Sequence, residues 1–250
     1  MAPNYAYALA LLLVVTIGMA VPARAADAGP AAMLQQAALT ATAVTRETKF
    51  IHRMLRPEKP GSRTFILMHG SGGDESTLMA LAAKIAPDAT LVGIRGRIVQ
   101  DGVKRWYKRV SPVEFDQEDV RQEADAFASF LQAVAGEERI DLSNAVFLGY
   151  SNGANLIAAL SQLHPGLVRN AVLLRSMPVL AEPARPDLSN TRFLTIAGDK
   201  DGLYFPFASK LEALLRNCGA SVDARVIGAG HGIGDEDARI IAEWLGAPRQ

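Results

Sequence analysis

Three short segments of this 250-residue chain bring together residue types that do chemistry in combination: Gly149-Tyr150-Ser151-Asn152-Gly153, Gly198-Asp199-Lys200-Asp201-Gly202 and Gly228-Ala229-Gly230-His231-Gly232. A serine hydroxyl is a weak nucleophile at neutral pH. It needs a base to take its proton and a carboxylate to hold that base in one tautomer. Ser151, His231 and an aspartate between them supply those parts in the chain order serine, aspartate, histidine. Each segment directly follows an apolar run that reads as a strand: Ala145 to Leu148, Phe193 to Ala197 and Val222 to Ile227. With 21 glycines in the chain, the bare Gly-x-Ser-x-Gly pattern arises by chance in roughly one such sequence in ten, so the strand before it and the helix after it carry the reading. Glycine at 149 and 153 suits a strained strand-to-helix turn that leaves no room for side chains beside the serine.

Two aspartates compete for the carboxylate role. Asp201 is favoured because a Gly-x-x-Asp turn carries it past the strand end toward the histidine loop. Asp199 is better suited to closing the turn, and stays the alternative. The backbone N–H of Asn152, at a helix start and so without an intrahelical acceptor, can face a developing oxyanion. A second donor is expected from His69-Gly70-Ser71-Gly72-Gly73-Asp74-Glu75, a glycine-rich loop after Phe65 to Met68, with the N–H of Ser71 as the candidate. This loop has neither the Gly-Lys-Ser/Thr ending of a phosphate-binding loop nor the spacing of a dinucleotide fingerprint. His69 reads as hydrogen-bonded into the loop, with Asp74 and Glu75 locking it.

Trp106 and Tyr107, inside Lys104-Arg105-Trp106-Tyr107-Lys108-Arg109, are expected to line the substrate cleft; the other reading has them capping the sheet edge beneath solvated bases. Met177 and Leu180 are expected to form an apolar wall, with core packing as the alternative. His52 and His164 lack ligand-spaced partners and read as structural, and Cys218 reads as a buried apolar residue.

The elements that must position these residues alternate strand-like and helix-like stretches, the pattern of a mostly parallel sheet covered on both faces. Further strands are expected at Phe65 to Met68, Thr90 to Ile94 and Ala171 to Leu174, with an antiparallel edge at Lys49 to Leu55. The clearest helix is Gln117 to Ala135, where Val120, Ala124, Phe127, Leu131 and Val134 fall on one face, Asp116 caps the start and Gly136 the end. Other helices are expected at Thr77 to Ile85, Ala154 to Leu163, Pro206 to Asn217 and Asp235 to Leu245.

Lys plus Arg total 26 and Asp plus Glu total 26, so no long-range field favours nucleic acid. One cysteine excludes an intramolecular disulfide framework and a cysteine-rich zinc site. Ala6 to Val21 is an uncharged apolar run followed by Pro22 and Ala23-Arg24-Ala25, which reads as a signal peptide over residues 1–25, giving a periplasmic or secreted protein with no stable membrane insertion after cleavage. The run is shorter than the ~20 residues that comfortably span a bilayer. Residues 26–48 read as an Ala-rich N-terminal segment and 49–250 as the folded domain.

These segments, together with Arg95-Gly96, Trp106-Tyr107 and Phe115-Asp116, resemble the phospholipase/carboxylesterase family of α/β hydrolases, which includes acyl-protein thioesterases and small bacterial esterases; the likeness spans Arg63 to Leu245. The resemblance implies a single-domain α/β-hydrolase fold, with a mostly parallel central sheet, helices on both faces and no large lid. It implies Ser151, Asp201 and His231 as catalytic residues, Ser71 and Asn152 as oxyanion donors, no metal or other cofactor, and a small-molecule ester as the partner. Serine, aspartate, histidine is the order such hydrolases use. Pro206 stands five positions after Asp201 where the family usually has about four, which keeps Asp199 open. The reaction implied is hydrolysis of short to medium acyl esters through an acyl-enzyme. Thioester or lysophospholipid cleavage by the same apparatus is the alternative, and a non-catalytic binding protein of the same fold is the alternative of another class. A dienelactone hydrolase, with its cysteine nucleophile, is disfavoured by Ser151. Nothing in the sequence sets the oligomeric state.

Overall fold

The computed structural model of the protein describes residues 44–247. The expected signal peptide at 1–25, its cleavage before Ala26 and the Ala-rich stretch as far as residue 43 lie outside the described residues. The strands are β1 (Val44–Arg46), β2 (Ile51–Leu55), β3 (Thr64–Met68), β4 (Thr90–Arg95), β5 (Ile98–Gln100), β6 (Val103–Arg105), β7 (Arg109–Ser111), β8 (Glu114–Phe115), β9 (Val146–Tyr150), β10 (Asn170–Leu174), β11 (Arg192–Gly198) and β12 (Ser221–Ile227). The helices are α1 (Met79–Ile85), α2 (Gln117–Glu138), α3 (Asn152–Leu163), α4 (Ala208–Asn217) and α5 (Asp235–Gly246).

Seven strands form the central sheet in the order β12-β11-β10-β9-β3-β4-β2, parallel throughout except for β2, which closes one edge antiparallel to β4. Because neighbouring residues on a strand face opposite ways, a run that is apolar at every position needs cover on both sides. Ile66, Phe147, Leu173 and Phe193 pack with Phe127 and Leu131 of α2, Ile157 and Leu160 of α3, and Leu211 and Leu215 of α4. Their strand neighbours Phe65, Leu148, Val172 and Leu194 pack on the other face with Ala82 of α1 and Ile240, Ile241 and Trp244 of α5. Among the described residues no helix is long and apolar enough to cross a membrane.

The structure differs from the expectation in three places. Helix α2 starts as expected, with Asp116 accepting the N–H of Asp119 at 3.1 Å, but continues through Gly136 to a left-handed Arg139 (φ 56°) that makes the C-cap. The folded region begins at least as early as Val44, inside the stretch assigned to the N-terminal segment. There β1 pairs with β5, and Arg46 forms ion pairs with Asp119 and Glu123 of α2. Strands β5 to β8 were not anticipated, since two- and three-residue strands are too short to show a period. They form two small antiparallel groups, β1-β5-β6 and β7-β8.

A parallel sheet delivers all its strand ends to one edge, outside which such folds bind ligands. Here β3 delivers His69, β9 delivers Ser151, β10 delivers Arg175, β11 leads to Asp201 and β12 leads to His231.

Candidate active site

Strand β9 turns into α3 at Ser151, which takes φ 52° and ψ −116°, a conformation that costs a residue with a side chain. The turn is tight enough to exclude other side chains. A Cβ at Gly149 would lie 2.7 Å from the backbone nitrogen of Ala154, and one at Gly153 would lie 2.3 Å from the carbonyl oxygen of Met68. The N–H of Ser151 donates to Leu174 O at 2.8 Å, which fixes the strained residue to the next strand.

The hydroxyl that this turn presents meets His231, whose Nε2 lies 2.9 Å from Ser151 Oγ. On the other side of the ring, Nδ1 lies 2.6 Å from Asp201 Oδ2. With Nδ1–H donating to the carboxylate, Nε2 keeps a lone pair able to accept the serine proton. Tyr204 packs edge-on against the imidazole at 5.0 Å between ring centres, and Tyr150 flanks it at 5.3 Å. Asp201 is buried, whereas the His231 side chain is 39% exposed and open to an incoming molecule.

The structure brings Asp201, not Asp199, to the histidine. Asp201 Oδ1 also accepts the N–H groups of Leu203 and Tyr204, each at 3.2 Å. Burial opposes ionisation of Asp201, but the bonds from His231 and Tyr204, the charge of His231 and the Leu203 N–H together hold the carboxyl below its ordinary value. Asp199 is exposed, its N–H donating to Ile227 O at 3.0 Å, as expected of a residue that closes the turn.

The N–H groups of Asn152 and Ser71 have no acceptor among the described residues, so both are able to donate to an oxyanion. The loop carrying Ser71 is held from several sides. Glu75 forms a two-pronged ion pair with Arg95 at 2.6 and 3.0 Å, and Asp74 accepts from Ser76 N and Oγ. His69 is buried, with Nδ1–H donating to Gly70 O at 2.6 Å and Nε2 accepting from Gly96 N–H at 3.0 Å. An accepting Nε2 makes the ring neutral. Burial, outweighing the Gly70 carbonyl, holds its pKa below the ordinary value.

Trp106 and Tyr107, expected on the cleft wall, are both fully buried, and this corrects the sequence reading. Trp106 connects the two halves of the site from beneath. Its indole N–H donates to His69 O and its backbone N–H to Asn152 Oδ1, both at 2.8 Å. An indole carries its own donor, so it can be buried where a carbonyl waits for it. Tyr107 packs edge-on against Phe115 at 5.3 Å, and its hydroxyl lies near the amides of Asn152 and Asn155 without hydrogen-bond geometry. Burial pushes its pKa up.

Met177 and Leu180 line a cavity of about 290 Å³ together with Val113, Phe115 and Phe207. Met177 is held by its N–H donating to Asn155 Oδ1 at 2.8 Å. Ser151 is not among the residues lining this cavity.

The sequence reading missed Arg175. This buried residue has a positive φ of 49° and its guanidinium grips the histidine loop on both sides of His231. Nε donates to Gly230 O and Nη2 to Gly232 O, each at 2.9 Å, while Asp237 of α5 pairs with Nη1 and Nη2 at 2.8 and 2.9 Å. The sequence signal was a charge placed directly after the apolar run Ala171 to Leu174, at a strand end in line with the others.

No family model matches this chain. MhqD of Bacillus subtilis (strain 168), named as a hydrolase, is 31% identical over 180 residues, covering 72% of this chain and 90% of that protein. The crystal structure of the carboxylesterase from Mesorhizobium loti matches with a TM-score of 0.78 and 48% identity, covering 82% of this chain and 99% of that one. The chain belongs to the phospholipase/carboxylesterase family of α/β hydrolases. The Bacillus cereus carboxylesterase is similar at a TM-score of 0.75 and 27% identity, covering 79% of this chain and 93% of that one. Membership makes the protein an esterase-type hydrolase, and the strand-end residues Ser151, Asp201 and His231 are where its fold concentrates reactive groups.

Proposed function

We propose that the protein is a serine carboxylesterase working through an acyl-enzyme on short to medium acyl esters. The observation that carries this reading is the imidazole of His231 standing between Ser151 Oγ at 2.9 Å and Asp201 Oδ2 at 2.6 Å. Ser151 Oγ attacks the ester carbonyl carbon as its proton passes to His231 Nε2, and the N–H groups of Ser71 and Asn152 take the oxyanion. Collapse of the tetrahedral species breaks the bond to the alcohol, which leaves with the proton from His231. Water then repeats the sequence on the acyl-serine, releasing the acid and restoring the hydroxyl. Asp201 keeps Nε2 free and stabilises the imidazolium.

The cavity beside Met177 and Leu180 has none of Ser151, Asp201 and His231 in its lining, so the preference for short to medium chains rests on the expected absence of a large lid. Thioesters and lysophospholipids are open to the same apparatus. We further propose that residues 1–25 are removed on export, on the strength of the apolar run and the Ala23-Arg24-Ala25 site; mature protein beginning at Ala26 is the mass-spectrometric result expected from an exporting host.

The test is a fluorophosphonate probe together with a p-nitrophenyl ester series. Labelling at Ser151, abolished in Ser151→Ala, and kcat/KM that peaks below long chains are expected. Equal labelling of wild type and Ser151→Ala removes the serine mechanism, and loss of activity on chelation points to a metal-activated water instead.

A further inference from the structure

Arg105, at the end of β6, differs from four other arginines of the folded domain. Arg46, Arg95, Arg97 and Arg175 each face a carboxylate: Asp119 and Glu123, Glu75, Glu123, and Asp237. Arg105 is only 7% exposed, yet among the described residues no carboxylate stands within ion-pair distance of it. Its Nη1 donates to Ser71 Oγ at 2.9 Å, and its buried Nε has no hydrogen-bond partner among the described residues. Burial, and after it the like charge of Arg109, depress its pKa, with Tyr204, Tyr107 and Asp101 opposing from longer range. A buried cation without a counter-ion is costly, and an anion that completes it recovers much of that cost.

The place of this charge matters as much as its isolation. Ser71, which the guanidinium holds by its hydroxyl, also carries the N–H expected to donate to the oxyanion. Tyr204, within the electrostatic reach of Arg105, lies edge-on to the His231 ring at 5.0 Å. The guanidinium therefore stands against the glycine-rich loop that carries Ser71, on the side of the sheet where the strands end at Ser151 and His231. Holding the Ser71 hydroxyl requires only a neutral donor, so the positive charge is surplus to that structural task.

We propose that Arg105 recognises a carboxylate carried by the substrate, so that the preferred esters are acidic ones, with the carboxylate a few bonds from the scissile carbonyl. The inference rests on the serine esterase reading and adds a substrate class to it. A guanidinium gives a carboxylate charge-assisted hydrogen bonds, and Nη2, which is not engaged with Ser71, is the terminal nitrogen available for that contact, with the unpartnered Nε beside it. The carboxylate can sit on the acyl chain or on the leaving group, and the two sources are separable by experiment.

In the acyl arm, kcat/KM is measured for monoethyl glutarate and for its neutral isostere ethyl glutaramate; in the leaving-group arm, for the butyrate esters of glycolic acid and of glycolamide. Wild type should favour the acid over the amide by about 10- to 100-fold in one arm, the range expected of a charge-assisted hydrogen bond. Arg105→Gln should bring that ratio close to one, and Arg105→Lys should keep part of it. Taking the ratio within each variant cancels any general disturbance of the Ser71 loop. A wild-type ratio of one or less in both arms overturns the proposal without any variant, and so does a ratio that survives in Arg105→Gln. The two readings fail differently. Ser151-dependent hydrolysis of the amides without acid preference removes the role of Arg105 alone. Hydrolysis that persists in Ser151→Ala removes the esterase reading beneath it.

Discussion

His69 follows β3 and His231 follows β12, and both leave the sheet at the edge where Ser151 turns into α3. Each has both ring nitrogens engaged, but by different partners. His69 is enclosed by backbone, a carbonyl on Nδ1 and an N–H on Nε2, so gaining a second proton would break a bond. His231 has a carboxylate on Nδ1 and a hydroxyl on Nε2, so under the proposed mechanism it can take the serine proton while keeping its contact with Asp201. The difference teaches that a histidine's role is set by what its two nitrogens meet.

The comparison breaks most directly through activity. Ser151→Ala and His231→Ala should each lower kcat by about 10⁴- to 10⁶-fold, and Asp201→Asn by about 10⁴-fold, with Asp199→Asn little changed. Steady-state kinetics on p-nitrophenyl butyrate reads all four. A folded His69→Ala protein as inactive as His231→Ala would show that the two histidines are not divided as described.

Next in size is the support of the His231 loop. Arg175→Met leaves Asp237 buried and unpaired, and should lower the unfolding free energy by about 3–5 kcal/mol in denaturant titrations. Replacing both partners, in Arg175→Met with Asp237→Leu, should recover much of that loss, because the stranded charge is gone. A double variant no more stable than the single would put the loss down to the Gly230 and Gly232 bonds instead.

The pH axis sharpens the contrast with a smaller effect. His69 has its folded pKa below the ordinary 6.5, so on acidification the unfolded chain takes up the proton first and the folded state loses stability from pH 6.5 downward. The slope is at most about 1.4 kcal/mol per pH unit. Asp201 is also depressed, from 3.8, so its contribution is intact above that pH and is lost only as pH falls through its lower folded value. Unfolding curves of wild type and His69→Gln should therefore converge as pH falls below 6.5, and those of wild type and Asp201→Asn only below pH 3.8. A His69→Gln difference that is flat with pH would mean that the ring titrates normally.

The smallest effect belongs to Tyr107, whose buried hydroxyl has no hydrogen-bond partner among the described residues. Tyr107→Phe should leave stability unchanged or raise it by less than about 1 kcal/mol, since the lost group was not repaying its desolvation. A loss of 2 kcal/mol or more would indicate a bound water or a relaxed contact with Asn152 or Asn155.

Much of the site was legible because the signals are local. Gly149 and Gly153 mark a turn whose backbone packing excludes a Cβ, and Gly198 marks another where a Cβ would lie 2.3 Å from Ala229 O. The apolar runs that open onto Ser151, Asp201 and His231 announced strands, and parallel strands bring their ends together. Trp106 and Tyr107 were misplaced because an aromatic pair among bases reads equally well as cleft or as core. The deciding partners, His69 O and the Asn152 amide, lie 37 and 46 residues away along the chain. Strands β5 to β8 escaped for a different reason, being too short to carry a period.

By itself the sequence determined the parallel α/β architecture, the strained serine turn, the reactive groups at successive strand ends and the resemblance to a hydrolase family, all of which follow from residue type, apolar periodicity and short spacing. Only the tertiary structure decided between Asp201 and Asp199, buried the tryptophan beneath the site, and set Arg175 around the His231 loop and Arg105 beside Ser71. Those outcomes depend on distances between segments far apart in the chain, and a side chain's partner is fixed only when packing has brought the strand ends to within a hydrogen bond of one another.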